Sequence, residues 1–293
     1  MNVIAGLVYL AAYAVLAGVA SFLEGPVGHR YQAFQLNSLI RAGSFLAALA
    51  ALLAVHGLAI PMTGATLAGL GIGVIAGVGS ICYCFAVSYM PMSTVATLSN
   101  LYLVVTTLLG IAILGESITV LKLGGLTAMI AGALLLDAAP ARFGVRGGAG
   151  GKQKATFRPL LIMAAYTVLV GISTFLEKPV LRSLDPTELN AFVATGMTIV
   201  AGAALALHGP GLPMHWPTLL PAGVGLMIGL ASVLYFLALG GLPISVTAAL
   251  SNASVLITTA LSAKFLGQRM TTQRGIAIAL TILGVTMLAT SVA

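Results

Sequence analysis

The chain repeats itself: a seventeen-residue pattern near its start recurs in its second half with eleven identical residues. The first copy occupies residues 11–27 (AAYAVLAGVASFLEGPV) and the second occupies residues 164–180 (AAYTVLVGISTFLEKPV). Both copies are strongly apolar, yet each keeps one carboxylate, which is Glu24 in the first and Glu177 in the second. A long internal repeat predicts that the two halves of the chain share one fold.

Apolar segments of membrane-spanning length recur from end to end. Hydrophobic residues make up 59% of the chain, charged residues only 6%, and the mean hydropathy is +1.10. This composition argues against a soluble enzyme and predicts an all-α, polytopic membrane protein. The net charge of +7 comes from one connector and from helix ends, so no basic face is expected to bind nucleic acid. Gly, Pro and charged residues interrupt the apolar runs and so mark the ends of the predicted helices. Ten helices are predicted, at 3–25, 34–55, 65–88, 93–114, 120–138, 158–181, 188–207, 218–240, 243–266 and 272–292.

The predicted helices fall into two groups of five. Residues 139–157 form a polar connector rich in Gly, Lys and Arg, which separates a first repeat at 1–138 from a second at 158–293. Because each repeat has an odd number of spans, equivalent helices must enter the membrane from opposite sides. Ten transmembrane helices in two inverted five-helix repeats are typical of secondary transporters, in which the repeats exchange conformations around a central site.

The duplication extends into later helices and carries a family resemblance. Residues 91–100 (PMSTVATLSN) match 243–252 (PISVTAALSN), and LGE at 114–116 has a degraded copy, LGQ, at 266–268. With this arrangement the chain resembles the drug/metabolite transporter superfamily, specifically its EamA-type branch, over essentially its whole length. The resemblance implies both termini in the cytoplasm. The first helix of a repeat in that family often carries a Lys at the position of Lys178, which makes Lys178 a candidate ionic residue, whereas the first repeat has Gly25 there. The Lys and Arg distribution favours the opposite orientation, with a cytoplasmic linker and both termini outside.

Polar residues share one face of the first helix in each repeat. Tyr13 and Glu24 lie on one stripe with small residues between them, and Tyr166 and Glu177 repeat that spacing. A carboxylate inside a membrane helix predicts a proton-coupling or cation-binding site, or a salt bridge such as one from Glu24 to Arg41 on the next helix. Since inversion places the two carboxylates toward opposite faces of the membrane, they are not expected to form one paired site.

A second polar stripe repeats every seven residues on the fourth helix and again on the ninth. Such a face cannot meet lipid, because an unpaired amide in hydrocarbon costs several kcal/mol. The central Asn of each stripe falls near the membrane midplane. The stripes therefore predict either a cavity lining or interhelical hydrogen bonds of about 1 kcal/mol each. They comprise Ser93, Asn100 and Thr107, and Ser245, Asn252 and Thr259.

The third and eighth helices carry glycines four residues apart, which predict close helix packing. These are Gly73 and Gly77, and Gly225 and Gly229. A serine and a tyrosine continue each glycine ridge and are candidates to reach the cavity, where tyrosine offers both a ring and a hydroxyl. They are Ser80 and Tyr83, and Ser232 and Tyr235.

These features together predict a secondary active transporter that moves a small polar metabolite, such as an amino acid, amine or nucleobase-like solute, with proton or other gradient coupling. A flippase for a lipid-linked intermediate is the alternative, and it would use Arg41 or Lys264 to bind a phosphate. No catalytic, metal-binding, cofactor or ATP-binding motif occurs in the sequence, so none of these is expected. The protein is expected in the lipid bilayer of a bacterial inner membrane. Because both repeats lie in one chain, a monomer is expected to be sufficient for transport. The sequence does not exclude a dimer.

Overall fold

The computed structural model is helical throughout the residues that it describes, which are 3–28, 30–57, 63–90, 95, 98–114, 119–137, 157–209, 211–212, 219–241, 247, 251, 253–265 and 271–290. Ten helices lie in these ranges. They are α1 (Val3–Gly28), α2 (Ala33–His56), α3 (Gly64–Tyr89), α4 (Tyr102–Leu114), α5 (Val120–Asp137), α6 (Phe157–Val180), α7 (Pro186–His208), α8 (Leu219–Leu239), α9 (Ala253–Phe265) and α10 (Thr272–Thr290).

Six helices are long and apolar enough to cross a membrane, namely α1, α2, α3, α6, α7 and α8. Their lengths of 21 to 26 residues satisfy the requirement of about 20 residues for a hydrocarbon core about 30 Å thick. Large apolar side chains along them, such as Leu46, Leu67 and Ile199, are exposed on the outside of the bundle. An apolar exterior of this kind is what lipid contact requires.

The predicted fourth helix is interrupted where the structure describes it. A turn at Asn100 and Leu101 precedes α4, and the N–H groups of Leu101 and Leu103 donate to carbonyls three residues back, both at 3.1 Å. A tightened turn of this kind changes the helical phase between Asn100 and Thr107. The two residues therefore do not lie seven positions apart on one continuous helix, as the heptad pattern predicted.

The helices pack mainly between the two repeats rather than within each one. α2 packs against α7 and α8, and the equivalent helix α7 packs against α2 and α3. In the same way α1 contacts α8 and α9, while α6 contacts α3 and α4, and α5 pairs with α10. The two repeats are consecutive in sequence but interleaved in space.

Glycines allow the closest approaches, at two helix crossings related by the duplication. A Cβ atom at Gly225 of α8 would overlap the carbonyl oxygen of Ile40 on α2. At the equivalent crossing of α3 and α7, a Cβ at Gly73 would overlap the carbonyl oxygen of Val193. A Cβ at Gly196 would likewise overlap the carbonyl oxygen of Leu70. The close packing predicted from the glycine spacing is thus confirmed.

Candidate functional site

A cavity of about 340 Å³, lined by both polar and apolar side chains, lies between the repeats and is enclosed by α1, α2 and α3 together with their equivalents α6, α7 and α8. The segment that leads into α4 and the first turns of α9 complete its wall. Ten of the residues singled out from sequence line this cavity. They are Tyr13, Glu24, Arg41, Ser80, Tyr83, Asn100, Tyr166, Glu177, Ser232 and Tyr235.

Two tyrosine pairs join the repeats across the cavity. The rings of Tyr13 on α1 and Tyr235 on α8 have centroids 5.6 Å apart and planes inclined by 48°. Their equivalents, Tyr166 on α6 and Tyr83 on α3, are 5.4 Å apart and inclined by 42°. Each pair takes one ring from either repeat, so both pairs are contacts between the repeats.

Glu24 is buried, with 4% of its surface exposed, and its Oε2 accepts a hydrogen bond from the Tyr83 hydroxyl at 3.0 Å. Between described side chains, no ion pair joins Glu24 to Arg41, so the salt bridge that the sequence left open is not formed. Glu177 is similarly buried, but Tyr235, the equivalent of Tyr83, makes no such bond to it in the part of the chain that the structure describes. The two carboxylates therefore occupy equivalent places with different surroundings.

Two buried asparagines hold the serines of the glycine ridges. The Ser80 hydroxyl donates to Oδ1 of Asn37 at 2.8 Å, and the Ser232 hydroxyl donates to Oδ1 of Asn190 at 2.7 Å. These bonds join α2 to α3 and α7 to α8. Asn37 and Asn190 occupy equivalent positions, each after a leucine, and the sequence analysis did not predict them as site residues.

Tyr102 also lines the cavity and was missed from sequence. The repeat could not reveal it, because the equivalent position in the second half is Ser254, which lines the cavity as well. The Thr258 hydroxyl donates to the Gly18 carbonyl at 3.0 Å, and its equivalent Thr106 donates to the Gly171 carbonyl at 3.0 Å. These bonds fasten α9 to α1 and α4 to α6 near the cavity wall.

Other predicted residues lie elsewhere. Thr107 is on α4 but outside the cavity lining, because of the turn before that helix, and Lys178 follows Glu177 on α6 without reaching the lining. Ser93, Ser245 and Asn252 lie outside the described residues, and only the helical backbone of Thr259 is described.

A polar cluster closes one end of the α2 and α7 pair. His56 Nε2 lies 3.1 Å from the Thr187 hydroxyl and 3.5 Å from Asp185, and His56 Nδ1 lies 3.8 Å from Glu188. Burial by itself raises the pKa of Asp185, but hydrogen bonds from the Thr187 hydroxyl and backbone N–H, together with His56, outweigh it and leave that pKa below its usual value.

The opposite end of the same helix pair has no carboxylate among its described residues. There the Gln35 side chain donates to the Gly211 carbonyl at 2.6 Å, and the Phe34 ring stacks on His208 with centroids 5.8 Å apart. Gln35 occupies the position equivalent to Glu188. The two ends of this helix pair therefore differ in charge. Within the described chain, no group of His, Cys, Asp and Glu side chains could hold a metal ion.

The helices and the cavity define the class of the protein: an integral membrane protein built from a duplicated helical unit around a polar site. The sequence matches the EamA-like transporter family twice, over residues 4–136 and 158–290. The chain therefore belongs to the EamA-like transporter family and is a membrane transporter of the drug/metabolite type. The family resemblance read from the sequence is confirmed.

A solved structure titled "Crystal structure of protein" is similar to this chain, with a TM-score of 0.72 and 20% sequence identity. The similarity covers 99% of each chain and shows a shared fold. No curated protein matches the sequence.

Proposed function

We propose that the chain is a secondary active transporter with ten transmembrane helices in two inverted repeats, which moves a small polar solute across a bacterial inner membrane by alternating access. The observation that carries this proposal is the cavity itself. Equivalent residues of both repeats line it, and two buried carboxylates, Glu24 and Glu177, open into it. Amino acids, amines and nucleobase-like solutes are the classes whose polar groups suit such a lining, and one chain supplies the complete site.

The tyrosine pairs supply the moving contacts in this proposal. Inverted repeats are related by a pseudo-two-fold axis in the membrane plane, so the Tyr13–Tyr235 and Tyr83–Tyr166 pairs lie toward opposite membrane faces. Opening the cavity to one face separates one pair and leaves the other closed. The glycine crossings support this movement, because their close backbone contacts let α2 and α8, and α3 and α7, move as rigid pairs.

Glu24 provides coupling to a proton or cation gradient. A charged carboxylate inside a membrane protein is costly, so binding a proton or a cationic group stabilises the closed cavity. Tyr83 links this charge state to the other repeat, because its hydroxyl donates to Glu24 and its ring contacts the Tyr166 ring. Loss or gain of charge on Glu24 thereby changes a contact between the repeats.

Uptake into liposomes under an imposed pH gradient tests the proposal, with a labelled panel of amino acids, amines and nucleobases. Wild-type protein should accumulate at least one solute against its concentration gradient. Glu24→Gln should abolish that accumulation while the purified protein stays folded. Asp185→Asn is the matched control, because it removes a carboxylate at the helix end and should leave coupling unchanged. Full accumulation by Glu24→Gln would show that Glu24 is not needed for coupling. If wild-type protein accumulates none of the solutes under the gradient, the proposal is refuted.

A further inference from the structure

Arg41 places a guanidinium group inside the membrane part of the protein. It stands eight residues into α2, which corresponds to a depth of about 12 Å along that helix. Arg41 lines the cavity, whereas Lys264, the other cation considered from sequence, is exposed on α9, with its Nζ 5.5 Å from the Phe265 ring centroid. Cationic side chains at such depth are rare and mark pathways for substrates or ions.

The donors of this guanidinium are largely unused. Nη1 lies 3.8 Å from Sδ of Met197, and a thioether is a weak acceptor. Nε is buried and has no hydrogen-bond partner in the structure. Glu24 lines the same cavity, but its described hydrogen bond comes from Tyr83. Across the described part of the chain, Arg41 forms no ion pair with a carboxylate. Arg41 is partly exposed, but a buried guanidinium N–H without an acceptor is costly, and a bound anion would relieve that cost.

We propose that Arg41 is an anion-binding subsite of the cavity and that the transported solute carries a carboxylate. The planar fork of a guanidinium matches a carboxylate with two parallel hydrogen bonds. The inference rests on the proposed function only in taking the cavity as the place where the solute binds.

The charges around Arg41 favour a carboxylate over a phosphate. Among the lining residues that the structure describes, Arg41 is the one Lys or Arg, and Glu24 and Glu177 are the carboxylates. The same lining acts on either anion, and the repulsion from the two carboxylates grows with the charge of the ligand. A phosphate with up to two negative charges is therefore repelled more strongly than a singly charged carboxylate, while the attraction comes from one guanidinium in both cases. A cavity of about 340 Å³ also suits a small metabolite.

Equilibrium binding to detergent-purified protein tests this inference, with thermal stabilisation as a second measurement. The probes are the common L-amino acids, lactate and succinate, each beside its primary amide, together with inorganic phosphate and glucose 6-phosphate. At least one acid should bind wild type with an affinity about 10- to 100-fold higher than that of its amide. Arg41→Gln should remove this difference by weakening the acid alone, and Arg41→Lys should retain part of it.

Lys264→Gln is the matched control, because it removes a cation outside the cavity and should leave the acid's affinity unchanged. Equal binding of acid and amide to wild type, or unchanged acid binding by Arg41→Gln, would overturn the inference. So would binding of phosphate compounds alone, or failure of every carboxylate to bind folded wild type. If Arg41→Gln does not fold, the comparison of acid with amide on wild type and on Arg41→Lys still decides. No gradient is used, so this result stands apart from the outcome of the Glu24 uptake experiment.

Discussion

The crossing of α3 and α7 provides a sharp test of the glycine packing. Gly73→Ala adds a methyl group that would overlap the carbonyl oxygen of Val193 and lie 2.9 Å from the Cα atoms of Val193 and Gly196. Carbon atoms in ordinary contact are about 3.5–4.0 Å apart. Since every one of these neighbours is backbone, no side-chain rotation can relieve the overlap, and the helices must separate.

Gly71→Ala is the matched control on the same helix. A Cβ at Gly71 has nothing within 4 Å, because this position faces outward. Both substitutions gain roughly the same helix propensity, up to about 1 kcal/mol over glycine. Overpacking typically costs about 1–3 kcal/mol, so that cost is the expected difference in free energy of unfolding between the two variants. Gly73→Ala should be the less stable one.

Thermal unfolding in detergent measures this difference. At roughly 2–4 °C per kcal/mol, the Tm of Gly73→Ala should lie about 2–12 °C below that of Gly71→Ala. The second repeat offers an independent copy of the experiment in Gly225→Ala, with Gly223→Ala as its control, because a Cβ at Gly223 again has nothing within 4 Å. Equal Tm values within each pair would show that the crossings accept a methyl group and would refute the packing argument.

Three further outcomes are expected. Asp185→Ala should lower the free energy of unfolding by about 0.5–2 kcal/mol, as measured by chemical denaturation. The reason is that Asp185 caps α7 by accepting a hydrogen bond from the Thr187 N–H at 2.9 Å. An unchanged free energy of unfolding would contradict this capping role. The Asp185 carboxylate, whose pKa is lowered in the folded state, stabilises the protein above its unfolded pKa and loses this effect as the pH falls through the folded value. The Tm gap between wild type and Asp185→Asn should therefore close in acid, and a gap that widens there would be inconsistent with the lowered pKa. Tyr83→Phe should reduce the number of protons moved per solute in liposomes more than Tyr235→Phe does. Among the described contacts, only the Tyr83 hydroxyl donates a hydrogen bond to Glu24. Equal effects of the two substitutions would show that this hydrogen bond has no role in coupling.

Much of the helical framework followed from local sequence. The predicted second and third helices, 34–55 and 65–88, differ from α2 and α3 by one residue at each end. The apolar run of α2 ends at Gly57, and that of α3 begins after its N-cap residue, Thr63. Hydropathy and capping are local properties, so the sequence near each boundary is enough to locate it. The family assignment also followed from sequence alone, since a duplicated unit is visible in the residue order.

The helical period identified several cavity residues without assigning their partners. Tyr13 and Glu24 do share a face that lines the cavity. The same reasoning failed for Thr107, because the turn at Asn100 breaks the period that a heptad pattern assumes. Tyr102 was missed because its equivalent in the second repeat is Ser254, so the duplication contained no signal for it.

The sequence by itself determined that this protein is a duplicated, helical membrane transporter with carboxylates in its apolar segments. Only the tertiary structure decided that Glu24 pairs with Tyr83 instead of Arg41, and that Arg41 is left facing the cavity without a carboxylate partner among the described residues. The physical reason is that helical periodicity shows which residues share a face but not which helix that face meets. Here most of those contacts join helices from opposite halves of the chain, at sequence separations that no local pattern records.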